Sequence, residues 1–360
     1  MKHRTIAKRV SASCAGAALL AVGSHATAAT CPALPSNAVV ISGANATQGV
    51  IKALSVSFQA AATPIDIVFQ STTSCQGVSD VTTPSTDPAT LTLWDGSGNA
   101  TSCTPATPVS VDIGVSDVFA QTCIDEGALL SYPASGFGDF QGPAQAMSII
   151  VPTAAFQNGT TSISAEALFA IFGWAGTGMY PVSPWTASPN TSVTNVFIRT
   201  NTAGVEDLIA KEINLGTSKW KGTPISSNTT LVGDVAAATA AGAIGIASTE
   251  SVQSGASAAS LKTLAYQAAG QSCGYLPDSS STSLDKLNVR EGRYNLWGPT
   301  HFFTAVDGSG VPTNANVEIF TDAITFATPK TAAAQALIAV EATAGVIPQC
   351  AMKVSRASEQ

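Results

Sequence analysis

The chain has 360 residues, of which only 11% are charged, and 16 Lys and Arg stand against 23 Asp and Glu for a formal net charge of −7. That acidic balance excludes a nucleic-acid or anionic-membrane partner, since both require concentrated positive charge. The length is large for one hydrophobic core and suits two lobes.

Lys2, Arg4, Lys8 and Arg9 open the chain, an apolar stretch runs from Ala15 to Val22, and Ala26-Thr27-Ala28 offers a small-residue cleavage site. This pattern predicts a secretory signal over residues 1–28, too short to span a bilayer, which takes ~20 apolar residues. Cys31 lies in a poor lipoprotein context, so a soluble periplasmic or secreted product is expected, without membrane insertion. The remaining 332 residues carry 12 Lys and Arg against 23 acids and six cysteines: Cys31, Cys75, Cys103, Cys123, Cys273 and Cys350. An even number in an exported chain predicts up to three structural disulfides, with the pairing open. Without C-x-x-C spacing or histidine companions, no metal site is expected.

Val39-Val40-Ile41 reads as a buried strand, followed by a helix with Val50, Ile51, Leu54 and Phe58 on one face. Ile65, Ile67 and Phe69 predict a second strand, Val109, Val111 and Ile113 a third, and Met147–Val151 a fourth. Ser164 is a candidate N-cap for a helix with Leu168, Ile171 and Phe172 inside and Gly173 as its stop. A strand over Val193–Arg199, a helix marked by Val205, Leu208, Ile209 and Ile213, and a strand over Ala243–Ala247 follow. Asp95–Gly98 and Asp307–Gly310 read as hairpin turns, and Thr331–Ala344 as a packed helix. Alternating strands and helices predict an α/β fold with mixed, mainly parallel sheets.

Catalytic chemistry is sparse. His301 is the one histidine beyond the signal and reads as a structural side chain. Neither G-x-S-x-G nor H-E-x-x-H occurs, and Glu206-Asp207 reads as a solvated helix face. Three strand-to-helix junctions are more informative: Ser42–Thr47, Ser71–Gly77 and Arg199–Gly204. Helix N-termini present unpaired N–H groups to anions, and open α/β sheets bind ligands beyond the strands' carboxyl ends. Arg199 ends an apolar strand and needs a carboxylate or a ligand as partner.

The order of segments resembles the periplasmic phosphate-binding proteins of ABC transporters, type II solute-binding proteins, from about Val39 to Phe303. Ile41–Gln48 is similar to the family's opening strand and loop, Ser71–Val78 stands at its Gly-Ser loop, and Val111–Phe119 at its Ser-Asp segment. Ser164–Gly173 resembles the helix ending in Ile-Phe-Gly, Arg199–Val205 the Arg-x-x-x-Ser-Gly-Thr motif, and Gly242–Gly245 the Gly-Ala-Ile-Gly strand. Tyr294–Pro299 is similar to the Tyr-Pro-Leu turn. The resemblance implies a two-lobed periplasmic-binding-protein-like (type II) fold with an interlobe cleft: residues 29–145 and 256–360 in the first lobe, 146–255 in the second. It implies capture of phosphate or a related small oxyanion by Ala46, Thr47, Ser74, Ser116, Asp117, Arg199 and Gly204, with no cofactor and no catalytic residue, and an ABC permease as docking partner. Ala203 and Val205 lack the motif's hydroxyls, and Gln48 replaces its common aromatic residue. These departures fit the alternative, a secreted structural or interaction protein with an altered pocket.

Overall fold

The computed structural model describes residues 29–359 apart from Pro32, 84–88, Ala134, 154–160, 178–191, 239–241 and 326–331. The signal expected over residues 1–28 lies outside the described residues, as does Thr331.

The strands are β1 (Ala29–Thr30), β2 (Ala38–Ala44), β3 (Asp66–Thr72), β4 (Leu91–Trp94), β5 (Ala100–Thr104), β6 (Ile113–Ser116), β7 (Phe137–Pro152), β8 (Ser162–Ser164), β9 (Val196–Arg199), β10 (Thr223–Ile225), β11 (Ile244–Ser248), β12 (Leu261–Gln267) and β13 (Trp297–Ala305). Their path runs β1-β5-β4-β3-β2-β6-β13-β7-β11-β9-β10, with β12 paired to both β7 and β8. Among the described residues there are ten α-helices: α1 (Gln48–Gln59), α2 (Ser74–Thr82), α3 (Ala120–Asp125), α4 (Ala165–Trp174), α5 (Gly204–Glu212), α6 (Asn228–Ala237), α7 (Thr249–Ser254), α8 (Leu287–Arg290), α9 (Ala315–Thr325) and α10 (Ala332–Thr343).

The long strand β7 joins two lobes. At about 3.3 Å per residue its 16 residues span roughly 50 Å. Its first part pairs antiparallel with β13, and its last residues pair with β11 and β12. The first lobe centres on β2, β3 and β6, in which β2 runs parallel to both neighbours. Val39, Val40 and Ile41 are buried on both sides of that sheet, the pattern of a parallel strand covered on each face. The apolar stripe Val50, Ile51, Leu54 and Phe58 of α1 packs on it, with the ring of Phe320 of α9 tilted against Phe58. In the second lobe β9 lies parallel between β10 and β11.

Local signals were mostly placed where the sequence put them, with three differences. Val109–Asp112 is not strand: Asp112 meets Val40 with its N–H (2.9 Å to the carbonyl) and its carboxylate (2.8 Å from the N–H), and the strand begins at Ile113. Val193–Asn195 forms a 3-10 turn before β9. Ser164 caps α4 by accepting the Ala167 N–H, but the helix passes Gly173 and ends at Trp174.

Three glycines set the position of α2. A Cβ at Gly77 would lie 2.6 Å from the Ser42 carbonyl oxygen and 2.7 Å from Gly43 Cα, and one at Gly114 would lie 2.2 Å from the Gly77 oxygen. The helix therefore rests backbone-to-backbone on β2 and β6, which no side chain would permit. The Cys75–Cys123 disulfide then ties its first turn to α3, while Cys31–Cys103 ties the N-terminal segment to β5. Cys273 and Cys350 are exposed and unpaired, so two of the three bridges allowed by the count are formed.

Candidate functional site

The carboxyl ends of β6 and β9 and the N-termini of α2 and α5 converge where the two lobes touch. Thr73 caps α2, its hydroxyl accepting the Gln76 N–H, and this fixes Ser74 as the first helical residue. The Ser74 hydroxyl accepts the N–H of Gly204 (3.0 Å) and of Asp117 (3.3 Å) and donates to Asp117 Oδ2 (3.2 Å). Its one donor and two acceptor sites are all used. A second lobe-to-lobe bond runs from the Cys75 N–H to the Thr202 carbonyl (3.3 Å).

Asp117 is buried and its Oδ1 has no hydrogen-bond partner among the described residues. Burial raises its carboxyl to about 6, against the opposing pull of the Ser74 hydroxyl, Arg199 and His301. Arg199 is also buried and donates through Nε to the Ile225 carbonyl (3.0 Å) and through NH2 to that of Ser226 (2.8 Å). Its charge acts on Asp117 and Glu206, yet no carboxylate oxygen among the described residues forms a salt bridge with it.

Four expected contacts, Ser74, Asp117, Arg199 and Gly204, thus share one buried cluster. The other three do not join it by their side chains. Ser116 turns its hydroxyl into its own loop, donating to the Val118 carbonyl (2.7 Å). Thr47 donates to the Ala44 carbonyl (2.7 Å), and the Ala46 carbonyl accepts from Gln145 Nε2 (3.1 Å).

Glu206 and Asp207 correct the sequence reading. They are 1% and 0% exposed, not on a solvated face, because the first turn of α5 is pressed against α2 of the other lobe. Burial raises Glu206 to about 8, Arg199 pulling the other way, and holds Asp207 well above the usual carboxylate range. Asp207 Oδ2 lies 3.4 Å from Cys75 Sγ, a disulfide sulfur with no proton to give. The separation is an ordinary van der Waals contact, and burial is what favours the protonated form of Asp207. Cys75, Cys123 and Asp207 place ligand-type atoms within 4.8 Å of one another, but with both sulfurs in the disulfide they supply no thiolate to a metal. No periodicity marked these acids, since Val205, Leu208 and Ile209 already supply one normal apolar stripe.

His301 is fully buried, its ring stacked on Phe303 and set against Phe119, with Nδ1 2.9 Å from both oxygens of Asp139. Asp139 and the two rings orient it, and Nε2 has no hydrogen-bond partner among the described residues.

Two lobes joined through β7, with helix N-termini opposed across their junction, make a two-lobed periplasmic-binding-protein-like arrangement. The structure is similar to that of a protein described as a phosphate ABC transporter substrate-binding protein with bound phosphate from Clostridium perfringens (TM-score 0.56, 13% identity, covering 87% of this chain and 99% of that one). It is also similar to an ABC-type phosphate transport receptor from Vibrio cholerae (TM-score 0.53, 15% identity, 86% and 99% covered). At these identities the likeness concerns the fold. No family model matches the sequence, and no curated protein matches it.

Proposed function

We propose that this chain is an extracytoplasmic solute-binding protein that captures phosphate or a related small oxyanion between its lobes, delivering it to an ABC permease. The observation that carries the reading is the convergence of the α2 and α5 N-termini, one from each lobe, on buried Asp117 and Arg199. Helix N-termini and a guanidinium favour an anion. A carboxyl raised to about 6 accepts the proton of a hydrogenphosphate once ionised, a contact that sulfate cannot make. The role is binding without catalysis. The secretory signal read at residues 1–28 and the two disulfides support an extracytoplasmic site. The first lobe boundary falls near residue 146, within β7. The return to the first lobe is put at about residue 256, and the pairing of β12 with the second-lobe part of β7 supports carrying the second lobe on through that strand.

Calorimetric titration of the purified, oxidised protein with phosphate, with sulfate as control, tests this. Saturable binding near micromolar, about −8 kcal/mol, that is lost in Arg199→Ala supports it. One observation favours the alternative of a structural or interaction protein with an altered pocket: the Gly204 N–H already bonds Ser74 across the lobes. Under that reading millimolar phosphate gives neither heat nor a shift in Tm.

A further inference from the structure

Residues 347–359 touch both lobes on their way across the surface. The segment is rooted on β7, where Ala144 and Ile347 exchange both backbone bonds (2.7 and 2.8 Å). Gln349 Nε2 adds a bond to the Gln141 carbonyl (2.7 Å). Beyond this root Lys353, Val354, Ser355, Ala357 and Ser358 are exposed. A cavity of about 340 Å³ lies between the segment and Gln141, Ala144, Trp297 and Pro299 of the sheet, so the chain here is not sealed into a core.

Two side chains turn inward, and each grips a different lobe. Arg356, 13% exposed, pairs through Nη1 with Glu212 Oε1 at the end of α5 (2.9 Å). It also donates through Nη2 to the Asn295 carbonyl (2.9 Å) and stands 4.9 Å over the Trp297 ring. Glu359, 2% exposed, accepts the Phe119 N–H (3.1 Å) and the Thr122 hydroxyl at the start of α3, a helix with no side-chain cap of its own. Helix α5 lies in the second lobe and α3 in the first. Where they meet, Lys211 pairs with Asp125 (2.7 Å) and Glu126 accepts the Thr217 N–H (2.8 Å). The two anchors are three residues apart, a tether of at most about 11 Å.

We propose that residues 347–359 form a strap that holds the two lobes shut, with Arg356 and Glu359 as its anchors. Helix α5 carries Gly204 at its other end, so parting the lobes at the Ser74–Gly204 bond pulls α5 and α3 against a short tether. Because each anchor grips one lobe only, releasing either of them frees the lobes. Release costs polar contacts and one cation–π contact, and leaves the main apolar clusters of each lobe in place. The strap acts whether or not the cleft takes a ligand.

Native-state hydrogen exchange of the oxidised protein is the test. The Gly204 and Cys75 amides report the junction, since each donates across it, and the amides of β2 and β11 report the interior of each lobe. In Arg356→Met the junction amides should exchange at least about tenfold faster, with the interior amides at the parent rate. Glu359→Ala should give the same pattern, and the double variant should add little to either, since one strap is opened from either end. Glu212→Gln removes the same ion pair from the α5 side, which keeps the test decisive if a strap variant folds poorly. Acceleration of all amides together would mean that the segment supports general stability, and would overturn the proposal. So would junction amides that exchange at the parent rate in the folded variants, or effects of the two anchors that add in full.

Discussion

Gly204→Ala probes the lobe junction with a single methyl group. The new Cβ would lie 2.5 Å from Ser74 Oγ, 2.8 Å from Asp117 Cβ and 3.1 Å from Ser74 Cβ. Gly204 is not at a positive φ, so alanine can adopt its backbone conformation and the cost lies entirely in contact. Ser74 cannot simply rotate away, because its hydroxyl holds the Gly204 and Asp117 amides and the Asp117 carboxyl. Overpacking of this kind costs about 1–3 kcal/mol, and an orphaned buried N–H about the same. The gain in helix propensity returns at most about 1 kcal/mol. A net loss of about 2 kcal/mol, or roughly 4 °C in Tm for a chain of this size, should appear in thermal and urea unfolding. In the double variant with Ser74→Ala, much of the clash disappears, so the two losses should fall short of additivity by at least about 1 kcal/mol. An unchanged or raised Tm for Gly204→Ala, or strict additivity, would mean that the two helix ends are not in contact.

The buried acids set the pH response. Glu206, Glu250 and Glu341 are each raised from 4.5 to about 8, so between these values the folded chain holds protons that the unfolded chain has lost. Their contribution is complete below pH 4.5 and is lost as pH rises through 8, with a slope of up to about 1.4 kcal/mol per pH unit for each group. Urea midpoints measured from pH 4.5 to 8.5 should fall, Glu206→Gln should flatten the fall, and a flat or rising profile would contradict the burial of these groups. Opening Cys75–Cys123, whose residues are 48 apart, should cost about 4 kcal/mol by chain entropy, read as a lower urea midpoint in the Cys75→Ser, Cys123→Ser protein; a shift below about 1 kcal/mol counts against a structural bridge. If phosphate binds at Asp117, Asp117→Asn should remove any change of affinity centred near pH 6, and an unaltered profile would locate the titrating group elsewhere.

The parts of the fold that could be read from sequence are those whose cause is local. The α1 stripe, the buried run of β2 and the Ser164 cap each sit within a dozen residues, and packing reinforced them. What could not be read depends on residues far apart in the chain. The expected strand from Val109 begins only at Ile113, after Asp112 has met Val40, 72 residues away, with both its N–H and its carboxylate. Glu206 and Asp207 look solvated to any analysis of α5 alone, since the surface that buries them comes from the Ser74 turn, 130 residues earlier for Gly204. The Cys75–Cys123 pairing follows only once Gly77 and Gly114 have let α2 settle on the sheet beside α3. At the site, Ser74, Arg199 and Gly204 were drawn from strand-to-helix junctions and Asp117 from the resemblance, and the structure brings these four residues near one another. The direction of the Ser116 and Thr47 hydroxyls is decided by turns in their own loops, which composition does not disclose.

The charges at the junction also constrain how any anion is held there. Arg199 is a single cation facing Asp117 and Glu206, with Asp207 raised first by its burial and then by the neighbouring acids, Glu206 foremost. If all three carboxyls were ionised the cluster would repel an anion outright, since one guanidinium partly engaged by the Ile225 and Ser226 carbonyls cannot offset three buried negative charges. Burial avoids this by keeping Glu206 and Asp207 neutral at pH 7, leaving Arg199 to balance Asp117. An oxyanion that enters must then either bring a proton for Asp117 to accept or arrive below pH 6, when Asp117 carries its own. If the proposed function holds, capture should favour protonated oxyanions, and its strength should track the protonation of the junction more closely than the net charge of the protein.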